Sequence, residues 1–592
     1  MTTDFFTVIP GQAVLSPYPV MTPEGPKRRE IKFPEEGFDA VVGNPPYTRW
    51  DEIPDKTRDE IQRRLGKLIA KYDLLGGFGG GVRAAQNPGI YTFWIMHATD
   101  FLKEGGRLGM IISNAWLQTD YGVEFAKFLL DHYKIKAIID FSQRLFRIPI
   151  ITTLVILMEK CSDEAQRADN DVIFMYVSKP VKVERLLQLV KNPDEAGEDE
   201  GILIKVIKQR ELPRDSKWIR VMFASAEDIF SLIEASELTV RADELFEVIS
   251  RGNVTWFMER LAGSGADPFF YLKPSDVKQW RLPDEYVHPA ITKAIYAKYF
   301  TFTEEDWMEL RDKDKECYMF ICHKPVSELP DEVREYIEWG ETECRTSPRR
   351  GRAEICSQTA ASRIRAQSSN YYGWYDLGEV TYTPVISIYQ ARHKTRFIWC
   401  KAFVACYHAL VTFIPDKTIM ENEEFFKALM AYLNSSIVQY YIETRGRLIS
   451  KGPIGFEVNV ARNMPVLDIR RLNERWVKLL ADLFDKLEEK AREIGGANRK
   501  EQVEQLKPII REIDEVVLEC LGLSSTLATA IENMVDILVE RRISGAREAK
   551  PEAVKGTDEP LARAEKRRRR SRRKKSGQSS EGSRSLTEFM KG

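Results

Sequence analysis

Histidine is scarce in this chain. The six residues, at positions 97, 132, 288, 323, 393 and 408, nowhere take the spacing of metal ligands or of a nucleophilic triad, which argues against both chemistries. His97 lies in the apolar stretch IYTFWIMHATDFLK and reads as core. Cysteine is sparse too, with eight residues scattered over 592, so no disulfide framework is expected. Cys317, Cys322, Cys344 and Cys356 do cluster, beside His323, but the second gap is too wide for a zinc knuckle, and ordinary buried thiols are the expected reading. No metal site is expected.

Long apolar runs are lacking as well, and the start MTTDFFTVIPGQ does not have the basic-then-apolar layout of a secretory signal. No membrane contact is expected, and the cytoplasm is the expected compartment. Net charge is nearly absent, at -1 overall, yet ARAEKRRRRSRRKKSG near the carboxyl end is almost wholly basic. Like charges repel and resist folding, so disorder is expected from 546 onward. Such a segment either adds salt-sensitive affinity for nucleic acid or is a solvated tail.

What is present suffices for several cores: 43% of residues are hydrophobic in a chain of 68.3 kDa. Between 38 and 160 short apolar runs alternate with helical patterns. FDAVVG, RLGMIIS, IKAIIDF and TTLVILMEK read as buried strands, IYTFWIMHATDFLK and VEFAKFLLDHY as helices. This pattern predicts an α/β fold with a mostly parallel sheet covered on both faces. The expected organisation is a partial catalytic domain over 1–160, a connector over 161–239, a mixed α+β domain over 240–470, a helical segment over 471–545 and the basic tail over 546–592. In the helical segment Trp476, Leu479, Leu480, Leu483, Phe484 and Leu487 should share one face, against which LKPIIREIDEVVLECLGL can pack. The glycine-rich YDLLGGFGGGVRAAQNPG follows a polar helical stretch, not a strand, and so reads as a mobile loop over a site, not a phosphate cradle.

The strand FDAVVG runs into Asn44-Pro45-Pro46-Tyr47. α/β sheets place ligands at the carboxyl ends of their strands. Two prolines hold the backbone extended and remove amide donors, leaving the Asn44 side chain and the Pro45 carbonyl as fixed acceptors. Tyr47 adds a flat face for stacking on a base. Two such acceptors can hold both N–H groups of an exocyclic amine, draw its nitrogen toward tetrahedral geometry and stabilise the positive charge that develops in methyl transfer.

These residues resemble motif IV of the amino-methylating DNA methyltransferases that use S-adenosylmethionine. FLKEGGRLGMIISNAWL is similar to their motifs V and VI, KIKAIIDF to the next strand, and FRIPIITTLVILMEK to motif VIII, with Phe146, Ile151 and Thr153 in register and Pro149 in place of the usual Ala. YYGWYDLGEV, TPVISIYQARHK, LMAYLNSSIVQYYIE and GPIGFEVNVARNMPVLD resemble the target-recognition region of adenine-specific enzymes of the type IIG kind. The resemblance implies a Rossmann-like methyltransferase fold, N6 of a flipped adenine in double-stranded DNA as acceptor, and a restriction-modification setting. Phe146 would close the other side of the base stacked on Tyr47. Residues 270 to 450 would read bases and hold phosphates.

TDFFTVIP resembles motif III, which would set Asp4 and Phe5, with Asn44, beside the cofactor. The Phe-x-Gly-x-Gly cofactor turn of the family is not found before Asn44, so the first two strands of the fold, with the methionine and ribose contacts, would be missing. In the family's order the first strand neighbours FDAVVG, which would become an exposed apolar edge. The expectation is a separate upstream polypeptide that supplies those strands, or a longer form of this chain. The competing reading is a DNA-binding specificity subunit that keeps the fold and transfers nothing. No nuclease pattern of Asp and Glu-x-Lys stands in strand context.

Overall fold

The computed structural model describes residues 5–76, 86–141, 153–195, 201–252, 266–346, 353–380, 382–449 and 452–544. Asp4, Phe146, half of the glycine-rich stretch and the basic tail therefore lie outside the described residues.

A hairpin comes first, β1 (Ala13–Thr22) against β2 (Gly25–Lys32). It leads into a six-stranded sheet: β3 (Phe38–Gly43), β4 (Leu102–Ser113), β5 (Tyr133–Phe141), β6 (Thr153–Lys160), β7 (Asp171–Val177) and β8 (Ile202–Lys208). Their order is β3-β4-β6-β5-β7-β8. β3, β4, β5 and β7 run one way and β6 and β8 the other. The sheet is thus α/β but mixed. β6 turns back between β4 and β5 because only eleven residues separate it from β5, too few for a crossover helix. Residues 161–239, expected as a connector, add β7 and β8: DVIFMYV is buried along nearly its whole length and extends the sheet past 160.

Helices α1 (Asp55–Lys71), α2 (Ile90–Ala98) and α3 (Asp120–His132) join one core with one face of the sheet, through Ile61, Leu65, Phe93, Phe125 and Leu129 against Leu108, Met110, Ile138 and Ile156. On the opposite face Ala137, Ile139, Ile173 and Met175 meet Leu189 of a further helix, with Val155 and Leu157 of β6 at the margin of this core. Near β3 that face is open. Val42 is 80% exposed, and Ile111, Val155 and Leu157 are partly exposed. Among the described residues β3 is also an edge strand, paired with β4 alone. Its entry is tight: Gly37 has φ +91°, and a Cβ there would meet the backbone of Leu102 and Lys103 at 2.6 Å.

Residues beyond 240 build a second sheet from β9 (Phe246–Arg251), β10 (Thr301–Phe302), β11 (Val385–Ile388), β12 (Phe397–Cys400) and β13 (Leu410–Pro415), ordered β9-β13-β11-β12-β10. A smaller sheet and the helix Asp331–Thr342 close a separate aromatic core around Phe269, Tyr336 and Trp374. Helix α4 (Ser436–Arg445) is buried on every side. α5 (Glu474–Glu493) packs on α6 (Lys500–Cys520), and α4 packs on α6 and on α7 (Leu527–Ser544). On α5 the buried stripe is Val477, Leu480, Ala481, Leu483, Phe484 and Leu487, whereas Leu479 is 37% exposed and Trp476 only partly buried. Asn473 caps this helix by accepting from the Trp476 amide, which fixes the helix phase.

Of the cysteine cluster, Cys317 and Cys322 are buried free thiols, pushed up to about 12 by burial. Cys344 and Cys356, expected as ordinary thiols, form a disulfide, because an antiparallel bridge of Arg345 with Ile355 brings their Cα atoms to 5.5 Å. Among the described residues no group of three or more His, Cys, Asp or Glu is placed to hold a metal, and no helix is long and apolar enough to cross a membrane.

Candidate functional site

β3 ends at Gly43 and delivers Asn44, Pro45, Pro46 and Tyr47 to the carboxyl edge of the sheet. Pro45 is buried and anchors the turn, Asn44 and Pro46 are exposed, and Tyr47 is half-buried against the main core. The Tyr47 hydroxyl donates to the Asn44 side-chain oxygen. The Pro45 carbonyl accepts no hydrogen bond from any described residue. One acceptor is therefore held by a tyrosine hydroxyl that another donor can replace, and a second stands free. Burial pushes the Tyr47 hydroxyl above its usual range, against the opposing effect of its bond to Asn44, so the ring is neutral at physiological pH.

The loop is braced from one side by residues 86–90. The Trp50 amide donates to the Pro88 carbonyl at 2.9 Å, and the Ile90 amide to the Thr48 carbonyl at 2.8 Å. Asp51 and Asn87 bond reciprocally: the Asp51 amide donates to Asn87 Oδ1 (3.1 Å) and Asn87 Nδ2 to Asp51 Oδ1 (2.7 Å). The Gln86 amide reaches back to the Leu75 carbonyl at 3.0 Å, so the glycine-rich stretch is pinched at its neck directly beside the loop. Trp50 packs on Phe93 of α2, with ring centroids 5.1 Å apart.

α2 also holds the second predicted element. Phe5 lies in a short turn, Phe5–Thr7, and stacks on Trp94 at 4.4 Å. His97 Nε2 lies 3.1 Å from the carbonyls of both Phe5 and Val8, donating to them as the tautomer that carries its proton there. Its burial lowers its pKa. His97 is thus a core residue that fastens the N-terminal segment. One helix positions Asn44 to Trp50 at its start and Phe5 two turns on.

At the same edge, β4 and β5 end in Asn114 and Asp140, which sequence reading did not single out. Asn114 Nδ2 donates to Asp140 Oδ1 at 2.7 Å, and Arg541 Nε to Asp140 Oδ2 at 2.5 Å. Asp140 is fully buried, and the only sequence signal was its place as the penultimate residue of an apolar strand.

Residues 23–146 match the family model described as Eco57I restriction-modification methylase, and residues 261–506 match that described as type II methyltransferase M.Eco57I, C-terminal domain. Over these two stretches the chain is similar to type II restriction-modification methyltransferases. It is 21% identical over 451 residues to the type II methyltransferase M.AccI of Acinetobacter calcoaceticus, which covers 76% of this chain and 72% of that protein. It is 33% identical over 103 residues to M.BstVI of Geobacillus stearothermophilus, covering 17% and 16%. Among solved structures it resembles the type IIG restriction endonuclease BpuSI, at 16% identity, TM-score 0.36, and 86% of this chain against 55% of that one. The type IIL restriction-modification enzyme MmeI in complex with DNA gives 11%, TM-score 0.43, and 85% against 57%. The chain thus spans little more than half the length of these two structures.

Proposed function

We propose that this chain is the catalytic and DNA-reading part of an adenine-specific DNA methyltransferase, acting on N6 of a flipped adenine within a restriction-modification system. The observation that carries the reading is the pair of acceptors at the end of β3: Asn44 Oδ1, masked only by the Tyr47 hydroxyl, and the free Pro45 carbonyl. An adenine amine entering here takes the place of the Tyr47 hydroxyl on Asn44 and bonds its second N–H to Pro45. Both bonds strengthen as the nitrogen becomes positive, so they stabilise the transition state more than the ground state. One N–H proton then leaves to solvent and no general base is needed. Tyr47 stacks on one face of the base, and Phe146, outside the described residues, is assigned to the other.

S-adenosylmethionine, when bound, supplies the electrophilic methyl group. The residues present suit it: Asn44 is an exposed amide at an open strand edge, and Phe5 offers a partly exposed ring. Asp4 lies outside the described residues. The open edge of β3 and its uncovered face at Val42 support a further element, a separate upstream subunit or an N-terminal segment, that adds the neighbouring strand and most of the cofactor contacts.

The test is methyl transfer from labelled S-adenosylmethionine to unmethylated plasmid DNA, by the chain together with the product of the reading frame upstream. Label at N6 of adenine is expected, and Asn44→Ala should lose about 10²–10³-fold in rate while DNA binding persists. A complex that binds DNA and transfers nothing would make the chain a specificity subunit, and tight cofactor binding by this chain alone would remove the need for a further element.

A further inference from the structure

Two consecutive arginines near the end of α7 point into different parts of the molecule, and both are buried. Arg541 reaches the carboxyl edge of the catalytic sheet: besides Asp140, its Nη1 donates to Gln118 Oε1 at 2.5 Å and its Nη2 to the Asn114 carbonyl at 3.2 Å. Arg542 reaches the other half of the chain. It forms a two-pronged pair with Glu443 of α4, at 2.7 and 2.8 Å, and donates to the carbonyls of Arg392 (2.6 Å) and Gly452 (2.7 Å). Each of these three partners lies in a different segment that resembles a target-recognition landmark, TPVISIYQARHK, LMAYLNSSIVQYYIE and GPIGFEVNVARNMPVLD. Gln118 closes the circuit, donating from Nε2 to the Glu443 carbonyl at 3.4 Å.

A helix whose only task was to cover apolar surface would not bury two guanidinium groups, since each needs a full set of partners to be tolerated. The partners named here fall into two sets: the ends of β4 and β5 with the turn that follows β4, or the three segments that resemble the recognition region. Both oxygens of Asp140 are occupied, one by Asn114 and one by Arg541, which locks β4 to β5 across the intervening β6. Asp140 also stands two residues before the stretch 142–152 that carries Phe146.

We infer that Arg541 and Arg542 are positioning residues forming a joint through which the recognition half sets the carboxyl edge of the catalytic sheet, so that reading DNA and aligning the base are coupled. This rests on the reading of the chain as a DNA methyltransferase. Displacing the recognition segments moves Arg542, and through the shared helical turn Arg541 and Asp140, because packed buried networks shift between discrete arrangements rather than deform smoothly.

The test uses the full chain with its completing subunit, on unmethylated plasmid DNA. Wild-type transfer to adenine is scored first, and its absence refutes the methyltransferase reading, not the joint. With an active wild type, Arg541→Lys and the volume-preserving pair Arg541→Met with Asp140→Leu are compared for single-turnover transfer, DNA affinity and thermal unfolding. The joint predicts a fall of at least tenfold in transfer with DNA affinity changed less than twofold, in both variants, below their unfolding temperatures. Transfer that stays within twofold of wild type in the folded variants overturns it. Amide exchange of the wild-type complex is independent of any variant: added DNA should slow exchange in 137–141 and in 538–544 together, and exchange there that ignores DNA overturns the joint as well.

Discussion

Replacing Val42 by lysine tests the open flank of β3 directly. With 80% of Val42 exposed, only about a fifth of its surface is covered. Full burial of such a side chain stabilises by about 1.5–3 kcal/mol, so Val42→Lys should cost the isolated chain less than about 1 kcal/mol. If a further element covers this face in the complete enzyme, the exposed four-fifths would contribute about 1–2.5 kcal/mol to the contact. A lysine there loses that contribution and must also desolvate an ammonium group, for a total above about 3 kcal/mol. That corresponds to a loss of affinity above about 100-fold. Thermal or denaturant unfolding of the chain alone reads the first quantity, and calorimetric titration with the upstream subunit reads the second. A loss of more than about 2 kcal/mol in the isolated chain would mean that Val42 is already covered, and unaltered association would mean that nothing docks there; either result refutes the reasoning.

Tyr47→Phe removes the hydroxyl that competes for Asn44, so methyl transfer should change by no more than about fivefold, the equivalent of one hydrogen bond. Tyr47→Ala should lose about 1–3 kcal/mol of base stacking; a tenfold fall in the Phe variant would give the hydroxyl a role of its own. Arg49, exposed two residues beyond Tyr47, is expected to neutralise a backbone phosphate, so Arg49→Ala should weaken DNA binding and reduce the salt slope by about one; an unchanged slope rules that out. His408 is held down to about 3 by burial and by the nearby Arg251 charge. The folded pKa lies below the unfolded value, so the stabilisation is complete above about pH 6.5 and is lost as pH falls from there toward 3. Denaturant titrations should show wild type losing up to about 2 kcal/mol between pH 7 and 5 relative to His408→Gln; parallel losses in both would sink the assignment.

Strands dominated by apolar residues, such as IKAIIDF, are legible because burial on both faces leaves room for few polar residues in them. The direction of β6 is less so. Its clue is negative, the lack of helical periodicity between Phe141 and Thr153. DVIFMYV carries the same apolar signal as the other strands but sits between polar loops, which hid it in an apparent connector. Asn44 to Tyr47 could be read because proline pairs restrict the backbone whatever surrounds them. Arg541 and Arg542 could not, since a sequence does not distinguish a buried guanidinium from one more charge beside a basic tail. Asp140 was hidden for a related reason: its partners lie 26 and 401 residues away. Leu479 shows the limit of face counting, where a small offset in helix phase exchanges it for Val477.

The pinched neck between Leu75 and Gln86 separates the length of the glycine-rich stretch from the geometry of the loop of residues 44–47. The bonds that hold Thr48 to Asp51 come from residues 87–90, downstream of the neck. Residues can be added or removed beyond the neck at little thermodynamic cost, since doubling the length of a connecting segment costs only about 0.6 kcal/mol in closure entropy. Evolution is therefore free to rewrite this stretch, in length and in sequence, while the asparagine and the two prolines stay where the proposed chemistry requires them.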